Sequence, residues 1–197
     1  MLSKRQEEQR NLRKKSILDG DLKVFKIHGI EKTTMDEIAH ESGFGKATLY
    51  YYFASKDEVF IAIMEEGWKE LWIGIEAKIV EEVSPRKKFM GIIKTMASIV
   101  KNDKILYGFL FTAPNHIHDE SKQVWKTYQE RLYAILKSII EEGIKKKEFI
   151  NLNPGLLMKA IGGLFHGLLI ENEDELNDEE FTMMLNNFLR PENDPEN

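Results

Sequence analysis

A short stretch before residue 56 carries four side chains that could bind an anionic partner. Lys46 offers an ammonium, Thr48 a hydroxyl, and Tyr51 and Tyr52 a phenol each. So short a helix does not need this many polar groups for packing. Leu49 and Phe53 lie four residues apart and would anchor the opposite side of that helix. Lys56 falls in the first turn of the next helix, where a cation is unfavourable unless an anion is near. Phosphate would be such an anion.

Two capping boxes and a glycine define the helices that would position these side chains. Thr34 with Glu37 opens one helix, and Ser55 with Glu58 opens the helix that follows the polar stretch. Gly43 permits a tight turn between the first two helices. The layout is that of a helix-turn-helix followed at once by a third helix start.

The first part of the chain resembles the DNA-binding domain of the TetR family of bacterial transcriptional regulators. The resemblance rests on an ordered series of residues, namely Ile17, Leu18, Phe25, Gly29, Thr33, Thr34, Ile38, Ala39, Gly43, Thr48, Leu49, Tyr50, Phe53 and Lys56. It implies an all-α fold, in which a three-helix DNA-binding domain precedes an antiparallel helical domain for ligand binding and dimerisation. Regulators of this family need no cofactor and bind double-stranded operator DNA.

Three positions depart from the family pattern. The family has small apolar residues where Gly20 and Asp21 stand, and commonly a serine where Gly45 stands. Glycine inside a helix costs about 1 kcal/mol relative to alanine, and glycine is a slightly weaker N-cap than serine. We therefore expect a less stable DNA-reading unit.

The polar stretch supplies two kinds of expected DNA contact. The leading residues of a recognition helix enter the major groove first, so we expect base reading by Lys46, Ala47 and Thr48. Contacts to phosphates would fix the position of the protein, and we expect them from Thr34, Tyr51, Tyr52, Lys56 and the basic arm at residues 13–15. Tyr50 fits contact with DNA and packing between helices equally well.

Charge is distributed unevenly along the 197 residues, whose net charge is −5. Residues 1–53 hold ten Lys and Arg against eight Asp and Glu, or +2, whereas the remainder holds 18 against 25, or −7. Such a distribution suits a protein that touches DNA at one end only. The alternative is that the basic arm is simply a solvated helix start.

Several classes of protein are disfavoured. The chain has no cysteine, its start lacks the apolar run of a signal peptide, and its longest apolar stretch is too short to cross a bilayer. We expect a soluble cytoplasmic protein. Without a glycine-rich phosphate loop or a G-x-S-x-G motif, we do not expect an enzyme. The cluster of His116, His118, Asp119 and Glu120 lacks the spacing of zinc motifs and is interpreted as a solvated loop.

Apolar residues recur at three and four positions, which predicts helices throughout. We expect a DNA-binding domain over residues 1–56 with its motif at 33–53, a helical effector and dimerisation domain over 57–190, and a disordered tail over 191–197. The last two helices would form the dimer surface, through Ala160, Ile161, Leu164, Phe165, Leu168, Phe181, Leu185 and Phe188. The alternative is that this apolar face covers the protomer's own core.

Aromatic and flexible residues are abundant in the second domain. The resemblance implies an effector cavity there, and the candidate lining residues are Trp68, Trp72, Phe89, Met96, Tyr107, Phe111, Trp125 and Tyr128. Each of them taken singly suits a core position as well. His166, on an apolar helix face, is interpreted as a hydrogen-bonded core or interface histidine.

The sequence therefore predicts a homodimeric regulator that represses transcription from a palindromic operator and releases it on binding a small hydrophobic or aromatic effector. One alternative is a DNA-binding dimer without a small ligand, controlled by a protein partner. Another is an enzyme or carrier that uses the cavity of the second domain.

Overall fold

A computed structural model describes residues 4–81, 83–112, 124–171 and 177–191. Every regular element within those ranges is helical, which confirms the all-α prediction. The helices are α1 Lys4–His28, α2 Met35–Glu41, α3 Lys46–Tyr52, α4 Lys56–Val80, α5 Pro85–Asn102, α6 Lys104–Thr112, α7 Val124–Lys145, α8 Pro154–His166 and α9 Asp178–Phe188, with a π-helical turn, Gly167–Glu171, after α8. None of the described helices has the length and apolar composition that a bilayer span requires. The predicted loop at 116–120 and residues 192–197 of the tail predicted over 191–197 lie outside the described residues.

Two compact units divide the chain, and the division falls inside α4. The first unit contains α1, α2, α3 and α4 as far as Gly67, together with Thr112, Val124 and Trp125. The second contains α4 from Trp68 onward, α5, α6 as far as Phe111, α7 from Lys126 onward, α8 and α9. The boundary expected between residues 56 and 57 falls after the first residue of α4, whereas the structure groups the first three turns of that helix with the first unit.

Helix α1 begins earlier than its apolar pattern predicts. Leu18, Leu22 and Phe25 mark only its C-terminal part, yet the helix extends back to Lys4. The earlier residues are mostly Lys, Arg, Gln and Glu, which favour helices without needing a buried stripe. The basic arm at residues 13–15 is therefore helical, and Lys14 Nζ lies 5.5 Å from the centre of the Phe53 ring.

The first unit is held together by a small apolar core and one very close helix contact. Ile17, Ile38 and Leu49, from α1, α2 and α3, are each fully buried. Helix α1 approaches α2 at Gly20, where an added Cβ would lie 2.7 Å from Ser42 Cα. Only a residue without a side chain fits that distance, so Gly20 sets how closely the two helices pack.

Local hydrogen bonds fix the turns around α2. Thr34 and Glu37 form the predicted capping box, in which each side chain bonds the other residue's backbone N–H. These bonds hold the pKa of the Glu37 carboxyl below its usual range, the backbone bond from Thr34 being the larger cause. Gly29 and Gly43 adopt positive φ angles of 74° and 71°, which glycine tolerates without strain.

In the second unit, Arg86 joins three segments that are distant in sequence. Its backbone N–H donates to Glu148 Oε2 over 2.8 Å, and its guanidinium donates to the carbonyl oxygens of Glu148 and Asn186 over 2.9 and 2.7 Å. The first turn of α5, the segment after α7 and the last turns of α9 are thereby tied together. Around them lies an apolar core that includes Phe89, Ile92, Met96, Leu110, Leu136, Ile140, Phe149, Ile161 and Leu185.

The residues expected at a dimer surface fall into two groups. Ile161, Phe165, Phe181 and Leu185 are buried within the protomer, with at most 7% of each exposed. Their burial fits the alternative that this apolar face covers the protomer's own core, and their contribution to a dimer surface stays a prediction. Ala160, Leu164 and Leu168 are half-buried and Phe188 is exposed, so these four remain accessible.

Candidate nucleic-acid interface and cavity

Helix α3 presents most of its expected reading residues to solvent. Leu49 is fully buried and anchors the helix, while Lys46 and Ala47 at its start are exposed and Thr48 is half-buried. Gly45 serves as the N-cap without a side-chain hydrogen bond. The first turn of α3 therefore carries a cation, a methyl group and a hydroxyl at one end of an exposed helix.

Lys46 already has an anionic neighbour. Its Nζ lies 2.5 Å from Asp36 Oδ2 on α2, and both side chains are more than half exposed. Exposed ion pairs contribute little to stability, commonly less than about 1 kcal/mol. The ammonium is thus held in place at the start of α3 but can exchange its partner at low cost.

Tyrosines form the other exposed part of α3. Tyr51 is 70% exposed, and its ring meets that of Tyr52 edge to face, with 5.2 Å between ring centres. Tyr50, whose role the sequence left open between packing and contact, is 52% exposed. Tyr50 therefore belongs to the accessible surface of the helix. The sequence signal for its exposure was its place directly after Leu49, the buried anchor.

Thr34 and Lys56, expected at phosphates, also make contacts inside the first unit. The Thr34 hydroxyl donates to Glu37 Oε2 over 2.9 Å as part of the capping box. Lys56 Nζ donates to the carbonyl oxygens of Ile30 and Glu31 over 2.9 and 2.8 Å. These two carbonyls, in the turn after α1, are the partners that offset the unfavourable position of a cation at a helix start. The ammonium has three donors, and these bonds use two.

The second unit contains a small, mostly apolar cavity of about 190 Å³ that is partly open to solvent. Its lining comes from α5, α6, α7, α8 and the π-helical turn, through Phe89, Ile93, Met96, Phe111, Tyr133, Leu136, Met158, Ile161, Gly162, Phe165, His166 and Ile170. No Lys, Arg, Asp or Glu is among these lining residues. In the part of the chain that the structure describes, no group of three acidic or histidine side chains could hold a metal ion.

Three of the eight residues expected around a cavity do line it, namely Phe89, Met96 and Phe111. Trp68 stacks edge to face on Phe111, 5.5 Å between ring centres, and so lies behind the lining. Trp72 pairs instead with Tyr128 at 6.3 Å, and its other neighbour is the guanidinium of Arg131 at 4.3 Å. Tyr107 and Trp125 are buried without reaching this cavity.

Other lining residues were missed or given another role. Ile161 and Phe165 were expected at the dimer surface, and Tyr133 was not among the eight candidate lining residues. His166 was interpreted as a hydrogen-bonded histidine, yet only its Nδ1 has a partner, Glu171 Oε1 at 3.5 Å. Its Nε2 is buried without a hydrogen-bond partner among the described residues. An apolar stripe looks the same whether it faces a core, a partner or a cavity, so the sequence carried no signal that separates these roles.

Comparison with known proteins gives the same result for the helix-turn-helix. Residues 17–63 match the family model for bacterial regulatory proteins of the tetR family. The HTH-type transcriptional regulator BetI of Brucella anthropi is 24% identical over 163 residues, 82% of this chain and 81% of that protein. The uncharacterized HTH-type transcriptional regulator YfiR of Bacillus subtilis is 26% identical over 180 residues, 78% of this chain and 82% of that protein.

Solved structures show that the fold extends beyond the matched segment. The TetR family regulator PfmR from Thermus thermophilus superposes with a TM-score of 0.74 at 19% identity, covering 90% of this chain and 99% of that chain. AibR, in complex with isovaleryl coenzyme A and operator DNA, gives 0.73 at 17% identity, with 90% and 97% covered. The chain therefore carries a DNA-binding segment of the tetR type at residues 17–63, and it is similar along most of its length to HTH-type transcriptional regulators.

Proposed function

We propose that this chain is a homodimeric repressor, which binds a palindromic operator and leaves it when a small hydrophobic or aromatic molecule occupies the cavity of the second unit. The observation that carries the DNA-binding part is the exposed first turn of α3, where Lys46 and Ala47 stand free of the core. Residues 1–56 then read DNA, and residues 57–190 bind the effector and dimerise. Such a regulator acts in the cytoplasm, where bacterial DNA lies.

The effector part of the proposal is supported by the cavity and by one relative of the same fold. AibR was solved in complex with isovaleryl coenzyme A and operator DNA, so this helical architecture accommodates a small-molecule site as well as an operator-binding surface. The effector would change the affinity for the operator only if it bound one conformation of the second unit more tightly than another. The apolar lining described above favours an apolar effector.

Dimerisation is supported by open, small-residue surface on α8. An added Cβ at Gly163, which does not line the cavity, would meet nothing within 4 Å, which leaves room for a helix from a second copy. Phe188 and Met183 on α9 are 37% and 60% exposed, and two-fold dimers read paired half-sites. Sedimentation velocity at micromolar concentration should give twice the 23.0 kDa mass of one chain. A strictly monomeric chain would contradict the proposal.

Operator selection from random DNA, followed by binding of variants, tests the reading role. Lys46→Ala should weaken binding to the selected operator by roughly 10- to 100-fold, because a good contact of a side chain to a base is worth about 1–3 kcal/mol. Lys137→Ala is the matched control, since Lys137 is also exposed and pairs with a carboxylate, that of Glu141. Equal affinity of the two variants, measured by fluorescence anisotropy, would remove Lys46 from the reading surface.

Lys56→Ala tests contact with phosphate. We expect weaker binding to every DNA sequence, and a slope of log K against log salt that is flatter by about 0.9, the value for one lost phosphate contact. The substitution also removes the two hydrogen bonds to Ile30 and Glu31, so a thermal melt of the variant must accompany the titration. A lower melting temperature with an unchanged salt slope would assign Lys56 a purely structural role.

A further inference from the structure

A carboxylate lies beside the lysine that is proposed to read bases. Asp36 Oδ2 on α2 is 2.5 Å from Lys46 Nζ on α3, and the two side chains are 59% and 64% exposed. An exposed ion pair adds little to stability, and a negative charge next to a DNA-reading surface repels phosphates. Neither folding stability nor attraction to the DNA backbone therefore accounts for Asp36 at this place.

The two side chains are close enough to meet the same base pair. An ammonium only donates hydrogen bonds and a carboxylate only accepts them, so Lys46 and Asp36 present one donor and one acceptor 2.5 Å apart. In the major groove a G·C pair exposes guanine O6, an acceptor, next to the cytosine N4 amino group, a donor. These two base atoms share a Watson–Crick hydrogen bond and so lie about 2.9 Å apart. The spacing of the protein groups matches the spacing of the base groups.

The order of donor and acceptor distinguishes the two orientations of a base pair. With guanine on the side of Lys46, N7 and O6 accept from the ammonium and the cytosine amino group donates to Asp36. Thymine in the same place offers one acceptor, O4, and its paired adenine still donates through N6. Cytosine or adenine in that place instead brings an amino donor to the ammonium and a carbonyl acceptor to the carboxylate. Asp36 therefore favours G·C, tolerates T·A and opposes C·G and A·T.

Asp36 contributes discrimination more than affinity. At G·C the cytosine amino group is a neutral donor, which satisfies the hydrogen bonding of the carboxylate but leaves its charge in the field of the phosphates. At C·G or A·T a carbonyl oxygen faces the carboxylate, and two acceptors repel each other. Repulsion of the wrong partner is a general way to obtain specificity.

We infer that Asp36 and Lys46 together read one base pair in each operator half-site, Lys46 at guanine O6 and N7 and Asp36 at the N4 amino group of the paired cytosine. This inference rests on the proposed function, in which Lys46 reads base edges. Asp36 is thereby a specificity-determining residue on α2, outside the helix to which the sequence assigned base reading.

Operator selection with the full-length protein locates the base pair, which is the position whose preference is lost in Lys46→Ala. Duplexes with each of the four base pairs at that position of one half-site are then titrated by fluorescence anisotropy. The wild type should bind G·C at least about ten-fold more tightly than C·G, with T·A between them. In Asp36→Ala this ratio should shrink to about three-fold or less, because the lysine alone does not sense orientation. Glu41→Ala, which removes another exposed carboxylate of α2, should leave the ratio unchanged.

Exchanging the two charges tests the order of donor and acceptor directly. Asp36→Lys combined with Lys46→Glu places the ammonium on α2 and the carboxylate on α3. Both positions are exposed, so the exchange leaves the core intact. The doubly substituted protein should prefer C·G to G·C at the same position, the reverse of the wild type. A residue that merely held Lys46 in place would not produce this reversal.

Three results would overturn the inference. They are an equal ratio of G·C to C·G affinity in wild type and Asp36→Ala, a wild-type preference for C·G or A·T at the position that Lys46 reads, and a charge-exchanged protein that still prefers G·C. With any of them, a wild type that still selects an operator leaves the proposed function standing. A wild type without any sequence preference would refute the proposed function and this inference together.

Discussion

Replacing Asp21 with alanine should stabilise the first unit far more at pH 8 than at pH 5.5. The Asp21 side chain is fully buried, and its two carboxyl oxygens have no hydrogen-bond partner among the described residues. Burial raises the pKa of this carboxyl from 3.8 to about 8. Between those values the folded protein holds a proton that the unfolded chain has lost. Stability therefore falls as pH rises through this window, by about 1.4 kcal/mol per pH unit.

Alanine removes this titration, so the variant's advantage should grow by about 3 kcal/mol between the two pH values. Urea unfolding followed by circular dichroism at both pH values measures the change in the free energy of unfolding. Asp19→Ala is the matched control, because Asp19 is two residues away on the same helix but exposed. If both variants changed stability by the same amount at each pH, the buried carboxyl of Asp21 would not be the titrating group.

Gly20→Val should destabilise the first unit by about 3 kcal/mol, at the upper end of the usual cost of overpacking. A Cβ at Gly20 would lie 2.7 and 2.8 Å from Ser42 Cα and Cβ, so α1 and α2 must separate. The helix preference of alanine over glycine, about 1 kcal/mol, is too small to compensate for that contact. Gly20→Ala should therefore also destabilise, which reverses the sign expected from helix preference alone.

Gly91→Ala is the matched control for this prediction. Gly91 also lies inside a helix, but an added Cβ would meet only the flexible Lys78 side chain, at 3.6 Å. There the helix preference should prevail, and the melting temperature should rise by a few degrees. A stabilised Gly20→Ala protein with unchanged operator affinity would show that α1 and α2 can separate without cost.

Local patterns predicted the first unit well, because its features are encoded over a few neighbouring residues. The Thr34 and Glu37 capping box formed as expected, and Leu49 became the buried anchor of α3. A cap or a turn glycine acts through its own neighbours in sequence, so spacing alone reveals it. The exposed side of α3 follows directly from where that anchor lies.

Contacts between distant residues were not predictable in the same way. The two carbonyls that Lys56 contacts lie 25 and 26 positions away, and nothing in the pattern around residue 56 indicates them. Gly20 looked like a weak point in a helix until Ser42 was found beside it. Likewise, an apolar helix face does not reveal whether it covers a core, a cavity or a second protomer, so the pattern that predicts Ile161 and Phe165 at a dimer surface does not indicate that both line the cavity.

The ion pair between Lys46 and Asp36 affects how DNA binding should be measured. The ionic-strength dependence of DNA binding reports the cations released from neutralised phosphates, so a lysine that moves from Asp36 to a base edge adds little to it. Counting charges from that dependence would therefore underestimate the number of lysines at the interface. Once Lys46 leaves, Asp36 faces a polyanion without compensation. At a non-cognate sequence Lys46 gains no contact with a base, so the repulsion between Asp36 and the DNA is not offset and weakens binding.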